Sequence, residues 1–187
     1  MSLILASSSL RRKIILESLG FEVEVQPLFD VDETPPIGAH VREQVRQICQ
    51  RKAEAWSSND VDLVIVSDTM IEHPENPCIS IGKPNDELEA RSMLELLSGR
   101  RHNVCTTTKI FVDGAWEEFS NISTVEFSVL SSHELNDLVV SQSWVGKAGA
   151  YDLHGDMGQF ATVIEGGEYT VLGLAKDAVE FLIYQRS

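Results

Sequence analysis

The N-terminal segment places a short strand, a serine turn and a basic helix start directly after one another. Residues 3–6 form an apolar run typical of a buried strand, and the three serines that follow make a polar turn with a natural helix N-cap. Arg11, Arg12 and Lys13 then open a helix that ends at Gly20. Because cations are unfavourable at the positive end of a helix dipole, this order favours an anion bound at the turn. A solvated basic turn with a plain serine cap is the alternative.

Composition limits what such an anion site can be. The chain has 15 Lys and Arg residues against 29 Asp and Glu residues, so its formal net charge is −14. A chain this acidic is not expected to bind a nucleic acid polymer or an anionic membrane, since both require broad basic surfaces. Backbone N–H groups, serine hydroxyls and guanidinium groups suit phosphate oxygens, and we therefore expect a local phosphate-binding pocket.

The length and the cysteine pattern predict a cytoplasmic globular protein. With 187 residues, 43% of them hydrophobic, the chain is long enough for one compact domain or two closely joined lobes. Its three cysteines form no C-x-x-C pair, which argues against a disulfide framework or a zinc knuckle and predicts reduced thiols. No apolar run approaches the roughly 20 residues that a membrane span needs.

Two acidic residues and one lysine lie where they could face the same pocket. Asp32 and Glu33 fall in a loop after a strand predicted at 21–27, and they either hold Mg²⁺ or decorate the surface. Residues 41–56 have helical periodicity, with Lys52 in the middle of the apolar stripe. The lysine stem is therefore expected to pack, with its ammonium aimed inward or along a groove, unless it extends past the stripe to water.

A second buried strand is predicted by the β-branched run at 63–66, and we expect it to end at Ser67-Asp68-Thr69. The carboxyl ends of strands line the ligand crevice of open α/β sheets, which favours Asp68 as a metal ligand or as the base for a water molecule. Capping of the next turn is its structural alternative. Lys83 is predicted to lie on a tight turn. The proline that follows, Pro84, restricts Lys83 to extended backbone.

The rest of the chain alternates between helical and strand patterns. Three helices are predicted: one at 85–98, one that starts at the capping box of Ser131 and Glu134, and one at 176–184. His102 is expected to be structural. Asp113-Gly114 predicts a hairpin turn between strands 103–112 and 115–119, with further strands at 123–129, 160–164 and 169–172. The pattern predicts a mixed, twisted α/β or α+β sheet flanked by helices. Polar groups after strands favour a Mg²⁺-dependent enzyme acting on a small phosphorylated molecule.

Seven short motifs follow one another along nearly the whole chain. They are Leu5-Ala6-Ser7-Ser8-Ser9-Leu10-Arg11-Arg12, Asp32-Glu33, Arg51-Lys52-Ala53, Ser67-Asp68-Thr69, Gly82-Lys83-Pro84, Met93-Leu94 to Leu97-Ser98-Gly99 with His102, and Lys147-Ala148-Gly149-Ala150-Tyr151. Each motif alone is weak, but the ordered set resembles the Maf family of nucleoside triphosphate pyrophosphatases.

This resemblance implies an α/β fold and an activity. The fold would be a single two-lobed domain over residues 1–187, with an elongated mixed sheet similar to the inosine triphosphatase-like superfamily and a cleft between the lobes. The activity would be hydrolysis of a nucleoside triphosphate to the monophosphate and pyrophosphate. A divalent metal, Mg²⁺ or Mn²⁺, and frequently a homodimer are also implied.

The resemblance assigns roles to the matching positions. Asp68 is expected to be the base and Glu33 the metal ligand, and the reverse allocation stays open because both are acidic and near the same predicted crevice. Phosphate contacts are implied for the basic residues and for the first serine of the turn. The predicted site residues are Asp68, Glu33, Lys52 and Lys83 as catalytic groups, Glu33 and Asp68 as metal ligands, and Ser7, Arg11, Arg12, Thr69 and His154 as substrate contacts.

Two departures from the family pattern bear on the substrate. Leu10 replaces a proline that is expected to be scaffolding. The segment Asp152-Leu153-His154-Gly155 replaces the Gly-Ile-Gln-Gly of the dTTP- and UTP-preferring branch that Ser67-Asp68-Thr69 resembles. The reach and hydrogen bonding of a histidine differ from those of the glutamine thought to read the base. A pyrimidine or modified nucleotide is expected, with the base preference left open.

Two other functions are compatible with parts of the pattern. A nucleotide-binding regulator of cell division would keep the pocket with little turnover, and it would bind nucleotide without needing Asp68. A serine hydrolase built on the serine turn is less favoured, because no G-x-S-x-G elbow accompanies the serines.

Overall fold

The computed structural model describes residues 2–57, 61 and 63–186, within which a mixed sheet is flanked by helices. The strands are β1 (Ser2–Leu5), β2 (Glu22–Val25), β3 (Leu63–His73), β4 (Asn76–Ile81), β5 (Arg101–Val112), β6 (Ala115–Phe127) and β7 (Ala161–Glu165). The helices are α1 (Leu10–Ser18), α2 (Val41–Ala55), α3 (Glu87–Leu97), α4 (Ser132–Val140), α5 (Glu168–Leu172) and α6 (Lys176–Gln185). Short 3₁₀ turns lie at Ala148–Ala150 and Gly158–Phe160.

The strands form a single seven-stranded sheet in the order β2-β1-β3-β5-β6-β7, with β4 paired to β3 outside this path. Strand β1 is parallel to both β2 and β3, whereas the other pairs are antiparallel. The prediction of a mixed α/β sheet with flanking helices is confirmed. None of the helices in the described ranges is long and apolar enough to cross a membrane.

Strand β3 has an open stretch of edge in its middle. One edge of β3 pairs with β5 from Leu63 to Ile71. Its other edge pairs with β1 at Val64 and Ile65 and with β4 from Ile71 onward. Residues 66–70 therefore have a neighbouring strand on one edge only, as far as the described strands go, and this gap contains Asp68.

Side-chain alternation along the strands builds apolar layers on both faces of the sheet. Leu3, Leu5 and Ile65 pack with α1 and α6 on one face. Ile4 and Val64 pack with Cys49 and Ala53 of α2 on the other face. A third and larger cluster joins α3 and α4 to the far ends of β5 and β6. The sheet is thus covered on both faces near the gap in β3.

Three helices begin at a side-chain cap, and the caps predicted at the serine turn and at the capping box are confirmed. The side chain of Ser9 accepts a hydrogen bond from the backbone of Arg12 at the start of α1. The Asp86 side chain caps α3 in the same way. Both hydrogen bonds of the capping box between Ser131 and Glu134 are present at α4.

Three predicted element boundaries or types are wrong. Strand β3 does not end at 67–69 but continues to His73, because its pairing with β5 runs on without interruption. The strands predicted at 115–119 and 123–129 are one strand, β6, since residues 120–122 pair with 105–107 of β5. Residues 169–172 belong to helix α5, which ends at Gly173 with φ of 106°. A four-residue apolar run carries too little periodicity to separate helix from strand.

Candidate active site

A cleft of about 1540 Å³ opens beside the gap in β3 and collects much of the positive charge of the protein. Six cationic side chains line it, against four carboxylates, although the whole chain has nearly twice as many acidic as basic residues. This local excess of positive charge suits an anionic ligand. The cations are Arg11, Arg12, Lys52, Lys83, Lys147 and Lys176, and the carboxylates are Glu33, Asp68, Asp152 and Glu168.

Lys52 and Asp68 form an ion pair on the α2 face of the sheet. Asp68 follows Val64 and Val66 in the strand alternation, so its side chain points toward α2, and Lys52 reaches it from that helix. The Lys52 ammonium donates to Oδ1 of Asp68 at 2.7 Å. Oδ2 of Asp68 is buried and has no hydrogen-bond partner within the part of the chain that the structure describes. A buried carboxylate oxygen without a donor is prepared to accept a proton or to bind a cation.

Glu33 joins this pair from the loop between β2 and α2. Its Oε1 lies 3.1 Å from the Lys52 ammonium, and its side chain is 60% exposed toward the cleft. Arg51, the residue before Lys52, donates to the backbone carbonyls of Asp32 at 2.6 Å and Thr34 at 2.8 Å. Arg51 thereby holds both backbone neighbours of Glu33, while Lys52 contacts its carboxylate. The sequence predicted a role for Lys52, but it did not predict this role for Arg51.

Arg12 is held by three oxygens on the opposite face of the sheet. Its Nε donates to the Gly173 carbonyl at 2.7 Å, Nη1 to Ser7 Oγ at 3.1 Å and Nη2 to Thr69 Oγ1 at 3.2 Å. The guanidinium fork therefore joins the serine turn, strand β3 and the α5–α6 corner. Ser7, Arg12 and Thr69 were predicted as substrate contacts, and the structure also gives them this bonding to one another.

A buried hydroxyl network supports that corner, and sequence reasoning missed it. Ser67 Oγ donates to the Gly173 carbonyl at 2.8 Å and contacts Thr108 Oγ1 at 2.9 Å. Thr106 Oγ1 donates to the Thr170 carbonyl at 2.7 Å and contacts Thr69 Oγ1 at 3.0 Å. The sequence feature that could have indicated this network is the run of three threonines at 106–108, in a strand otherwise rich in apolar residues. Ser67 and Thr106 thus each satisfy a backbone carbonyl of α5 or the turn after it, and Thr108 Oγ1 accepts a hydrogen bond from the Ala175 amide at 2.9 Å.

Another part of the cleft is built around Asp152. Its carboxylate lies 3.8 Å from Nη1 of Arg11 and 3.4 Å from Nζ of Lys147, and Oδ1 accepts a hydrogen bond from the His154 amide at 3.2 Å. Burial opposes ionisation of this carboxyl, but Arg11, the His154 amide and Lys147 outweigh it and lower the pKa of Asp152. Asp152 is consequently ionised at neutral pH.

The remaining predicted residues lie on the exposed walls of the same cleft. Lys83 is exposed on a turn held by a hydrogen bond from the Gly149 amide to the Gly82 carbonyl. The His154 ring is 61% exposed, with Nε2 3.6 Å from Glu168 Oε2. The structure thus brings every predicted site residue to one cleft. It adds four charged residues that sequence reasoning did not select as site residues, namely Lys147, Asp152, Glu168 and Lys176.

The protein offers two carboxylates, rather than a full ligand set, for a metal ion. No group of three or more His, Cys, Asp or Glu residues suited to a metal occurs within the described ranges. Asp68 and Glu33 meet at Lys52, and Asp68 Oδ2 lacks a donor. This donor set fits Mg²⁺, which proteins commonly hold through one or two carboxylates together with substrate phosphates.

The geometry agrees with the family that the sequence indicates. The family model described as Maf-like protein matches residues 2–185. The chain belongs to this family. As a Maf-like protein it carries the basic turn, the acidic loop residue and the buried aspartate of the motifs together at one cleft.

Three curated relatives of this Maf-like protein share one name. A protein of Zymomonas mobilis is 38% identical over 177 residues, covering 92% of this chain and 85% of its own. A protein of Ruegeria is 37% identical over 175 residues, covering 93% and 89%. One of Bdellovibrio bacteriovorus is 34% identical over 190 residues, covering 97% of each chain. All three are named dTTP/UTP pyrophosphatase.

Among solved structures, the Maf-like chain aligns with a Ham1 protein of Staphylococcus aureus at a TM-score of 0.46 and 18% identity, covering 68% of this chain and 72% of the other. A Ham1 protein of Coxiella burnetii aligns at 0.45 and 16% identity, covering 68% and 73%.

Proposed function

We propose that this Maf-like protein is a nucleoside triphosphate pyrophosphatase, which hydrolyses a pyrimidine or modified nucleoside 5′-triphosphate to the monophosphate and pyrophosphate. The observation that carries the proposal is the free Oδ2 of Asp68, beside Lys52 in a cleft rich in cations. The names of the relatives, dTTP/UTP pyrophosphatase, support the same reaction.

Asp68 is the proposed general base. In the reaction a water oxygen bonds to the α-phosphorus, the bond from that phosphorus to the bridging oxygen breaks, and pyrophosphate leaves. The water must lose a proton as it attacks. Oδ2 of Asp68 has a free acceptor site for this proton, while Lys52 holds the other carboxylate oxygen in place.

The cations of the cleft bind and orient the triphosphate. Lys52 has its ammonium at the reacting carboxylate, and Lys83 and Arg11 present exposed charges along the cleft wall. Such charges offset the negative charge that develops on the leaving pyrophosphate. Ser7 and Thr69 act partly through Arg12, whose fork they fix.

A divalent cation, Mg²⁺ or Mn²⁺, belongs to the proposal. The residues that would hold it are Asp68 and Glu33, with Glu33 as the main ligand if Asp68 is the base. Bound there, the ion would neutralise phosphate charge and polarise the phosphoryl oxygens. Glu33 is suited to this by its exposure to the cleft, and Lys52 lies against both its Oε1 and Oδ1 of Asp68. The exchange of roles between Asp68 and Glu33 is the alternative.

The same proposal includes the organisation of the protein. One domain with two lobes on either side of the cleft is supported by the two large apolar clusters, one of which contains residues of α3 and α4 and the other residues of α1 and α6, while α5 contributes to both. A homodimer and a cytoplasmic location are implied by the family resemblance and by the cysteine pattern.

The test is a panel of UTP, dTTP, CTP and 7-methyl-GTP with Mg²⁺, with pyrophosphate and orthophosphate separated. We expect pyrophosphate plus monophosphate from one or more of these nucleotides. Asp68→Asn should lower turnover by a factor on the order of 10² or more, as expected for loss of a general base. Asp113→Asn removes a carboxylate from the turn between β5 and β6, outside the residues that line the cleft, and serves as the matched control.

Two outcomes would contradict the proposal. Nucleotide binding without cleavage of any of the four would favour a binding protein. Near-normal turnover in Asp68→Asn, with unchanged circular dichroism, would remove Asp68 from the role of base.

A further inference from the structure

Asp152 places a negative charge between two of the cations that line the cleft. Arg11 and Lys147 lie 3.8 Å and 3.4 Å from its two carboxylate oxygens, and no other carboxylate lies within ion-pair distance of either cation in the described part of the chain. The Asp152 side chain is 20% exposed, so solvent screens this group less than a surface ion pair. The carboxylate therefore occupies a position from which it attracts the same two cations that a phosphate group would use.

The distances show that the two cations are attracted but not locked. Charge-assisted hydrogen bonds between nitrogen and carboxylate oxygen are about 2.7–2.9 Å long. Both separations exceed this range. The N–H groups of Arg11 and Lys147 can consequently turn toward a phosphate oxygen without breaking a short hydrogen bond to Asp152.

The carboxylate itself is more firmly held than its partners. Oδ1 accepts from the backbone amide of His154, and the Asp152 carbonyl accepts from the Gly155 amide at 3.1 Å. This Asx-type turn fixes the charge on the cleft wall. When Arg11 and Lys147 move to a phosphate, Asp152 remains close by and repels it.

We propose that Asp152 is an internal counter-ion that competes with phosphate groups for Arg11 and Lys147 and weakens the binding of polyphosphate in the cleft. The inference rests on the proposed function, in that it concerns the substrate and the pyrophosphate product of the same site. Its consequence is easier departure of pyrophosphate, and hence weaker product inhibition. Asp152 is thus a residue that sets affinity and does not touch the reacting atoms.

The test measures binding without turnover. Isothermal titration calorimetry with inorganic pyrophosphate and with tripolyphosphate, at fixed Mg²⁺ and low salt, compares the wild type with Asp152→Asn. The asparagine keeps the size of the side chain and an oxygen for the His154 amide. We expect both anions to bind the variant more tightly, on the order of tenfold, because one nearby charge is removed in a partly screened site. The gain should shrink as salt is raised.

Three controls separate the counter-ion from other effects. Asp156→Asn removes the same charge from an exposed position four residues later that does not line the cleft, and we expect less than a twofold change. Asp152→Glu keeps the charge and should bind much as the wild type does. In a Lys147→Met background the gain from Asp152→Asn should be smaller, since one of the competed cations is absent.

The results distinguish this inference from the proposed function. Equal or weaker binding of both anions by Asp152→Asn, with unchanged circular dichroism, would overturn the counter-ion and make Asp152 a positioning residue for Arg11 and Lys147. An equal gain in Asp156→Asn would also overturn it, by reducing the effect to net charge. Absence of cleavage of all four nucleotides of the panel by the wild type, with tighter anion binding in the variant, would reject the pyrophosphatase but retain the counter-ion.

Discussion

The Lys52 ammonium donates to Oδ1 of Asp68 at 2.7 Å and lies 3.1 Å from Oε1 of Glu33. One cation therefore joins two carboxylates that come from different elements, strand β3 and the loop before α2. The side chains of Lys52 and Asp68 are 13% and 12% exposed, whereas that of Glu33 is 60% exposed. This asymmetry favours Asp68 for proton transfer in a protected place and Glu33 for contact with an ion that arrives with the substrate.

Glu33→Gln is expected to raise the Mg²⁺ concentration needed for half-maximal turnover, on the order of tenfold, because an amide is a poorer ligand than a carboxylate for a hard cation. Asp32→Asn should leave this concentration unchanged. The Asp32 carboxylate lies 3.0 Å from Arg51 and accepts from the Thr34 amide at 2.9 Å, so it is already used within the loop. The measurement is a Mg²⁺ titration of pyrophosphate release at a fixed concentration of a nucleotide that the wild type cleaves.

The two neighbouring acids make this comparison decisive. A shift of the same size in both variants would indicate that the loop as a whole was disturbed. An unchanged Mg²⁺ requirement in Glu33→Gln would remove Glu33 from the metal site and favour the exchange of roles with Asp68.

Arg12→Lys is expected to destabilise the protein by about 1–3 kcal/mol, although it conserves the charge. A lysine has one nitrogen and cannot reach the Gly173 carbonyl, Ser7 Oγ and Thr69 Oγ1 together. Arg11→Lys is the matched control. The Arg11 side chain is 37% exposed, and its Nη1 lies 3.8 Å from Asp152 Oδ1, too far for a short hydrogen bond. Its replacement should therefore change stability by less than about 0.5 kcal/mol.

The measurement is the free energy of unfolding from urea titration of both variants. Equal stability of Arg12→Lys and the wild type would show that the fork does not hold the α5–α6 corner. Its predicted role would then reduce to contact with the substrate.

Most helices and most strands could be predicted because their periodicity and caps are local. Helix α2 and its inward lysine follow from the apolar stripe, and the caps at Ser9, Asp86 and Ser131 follow from side-chain chemistry at a single position. Helix α5 could not be predicted, since its apolar run is short and its conformation depends on burial against β5 and β6.

The candidate site was predicted more completely in its residues than in its contacts. Asp68 was expected at the end of a strand, but it lies in the middle of β3, where neighbouring strands leave a gap. Asp152 pairs with Lys147, which is near in sequence, and with Arg11, which is more than 130 positions away. No periodicity or motif indicates such a contact, because it depends on the tertiary packing of the cleft.

The burial of His102 affects how the stability of the protein depends on pH. It was expected to be structural, and it lies 3% exposed, with Nε2 2.9 Å from the Tyr151 hydroxyl and its ring 6.1 Å from that of Phe127. Its Nδ1 is buried without a partner in the described residues. Burial disfavours the charged imidazolium and lowers the pKa of His102 to about 4.

Stability is therefore expected to fall as the pH is lowered from 7 toward 4. The unfolded chain takes up a proton at His102 near its ordinary pKa of about 6.5, whereas the folded protein takes it up only near 4, so acid favours unfolding by about 2 kcal/mol at pH 5. Urea titrations at pH 7 and pH 5 should show a smaller loss in His102→Gln than in the wild type. His133→Gln, at a site 86% exposed, should retain the full loss. An identical loss in all three proteins would assign the acid sensitivity to the carboxylates instead.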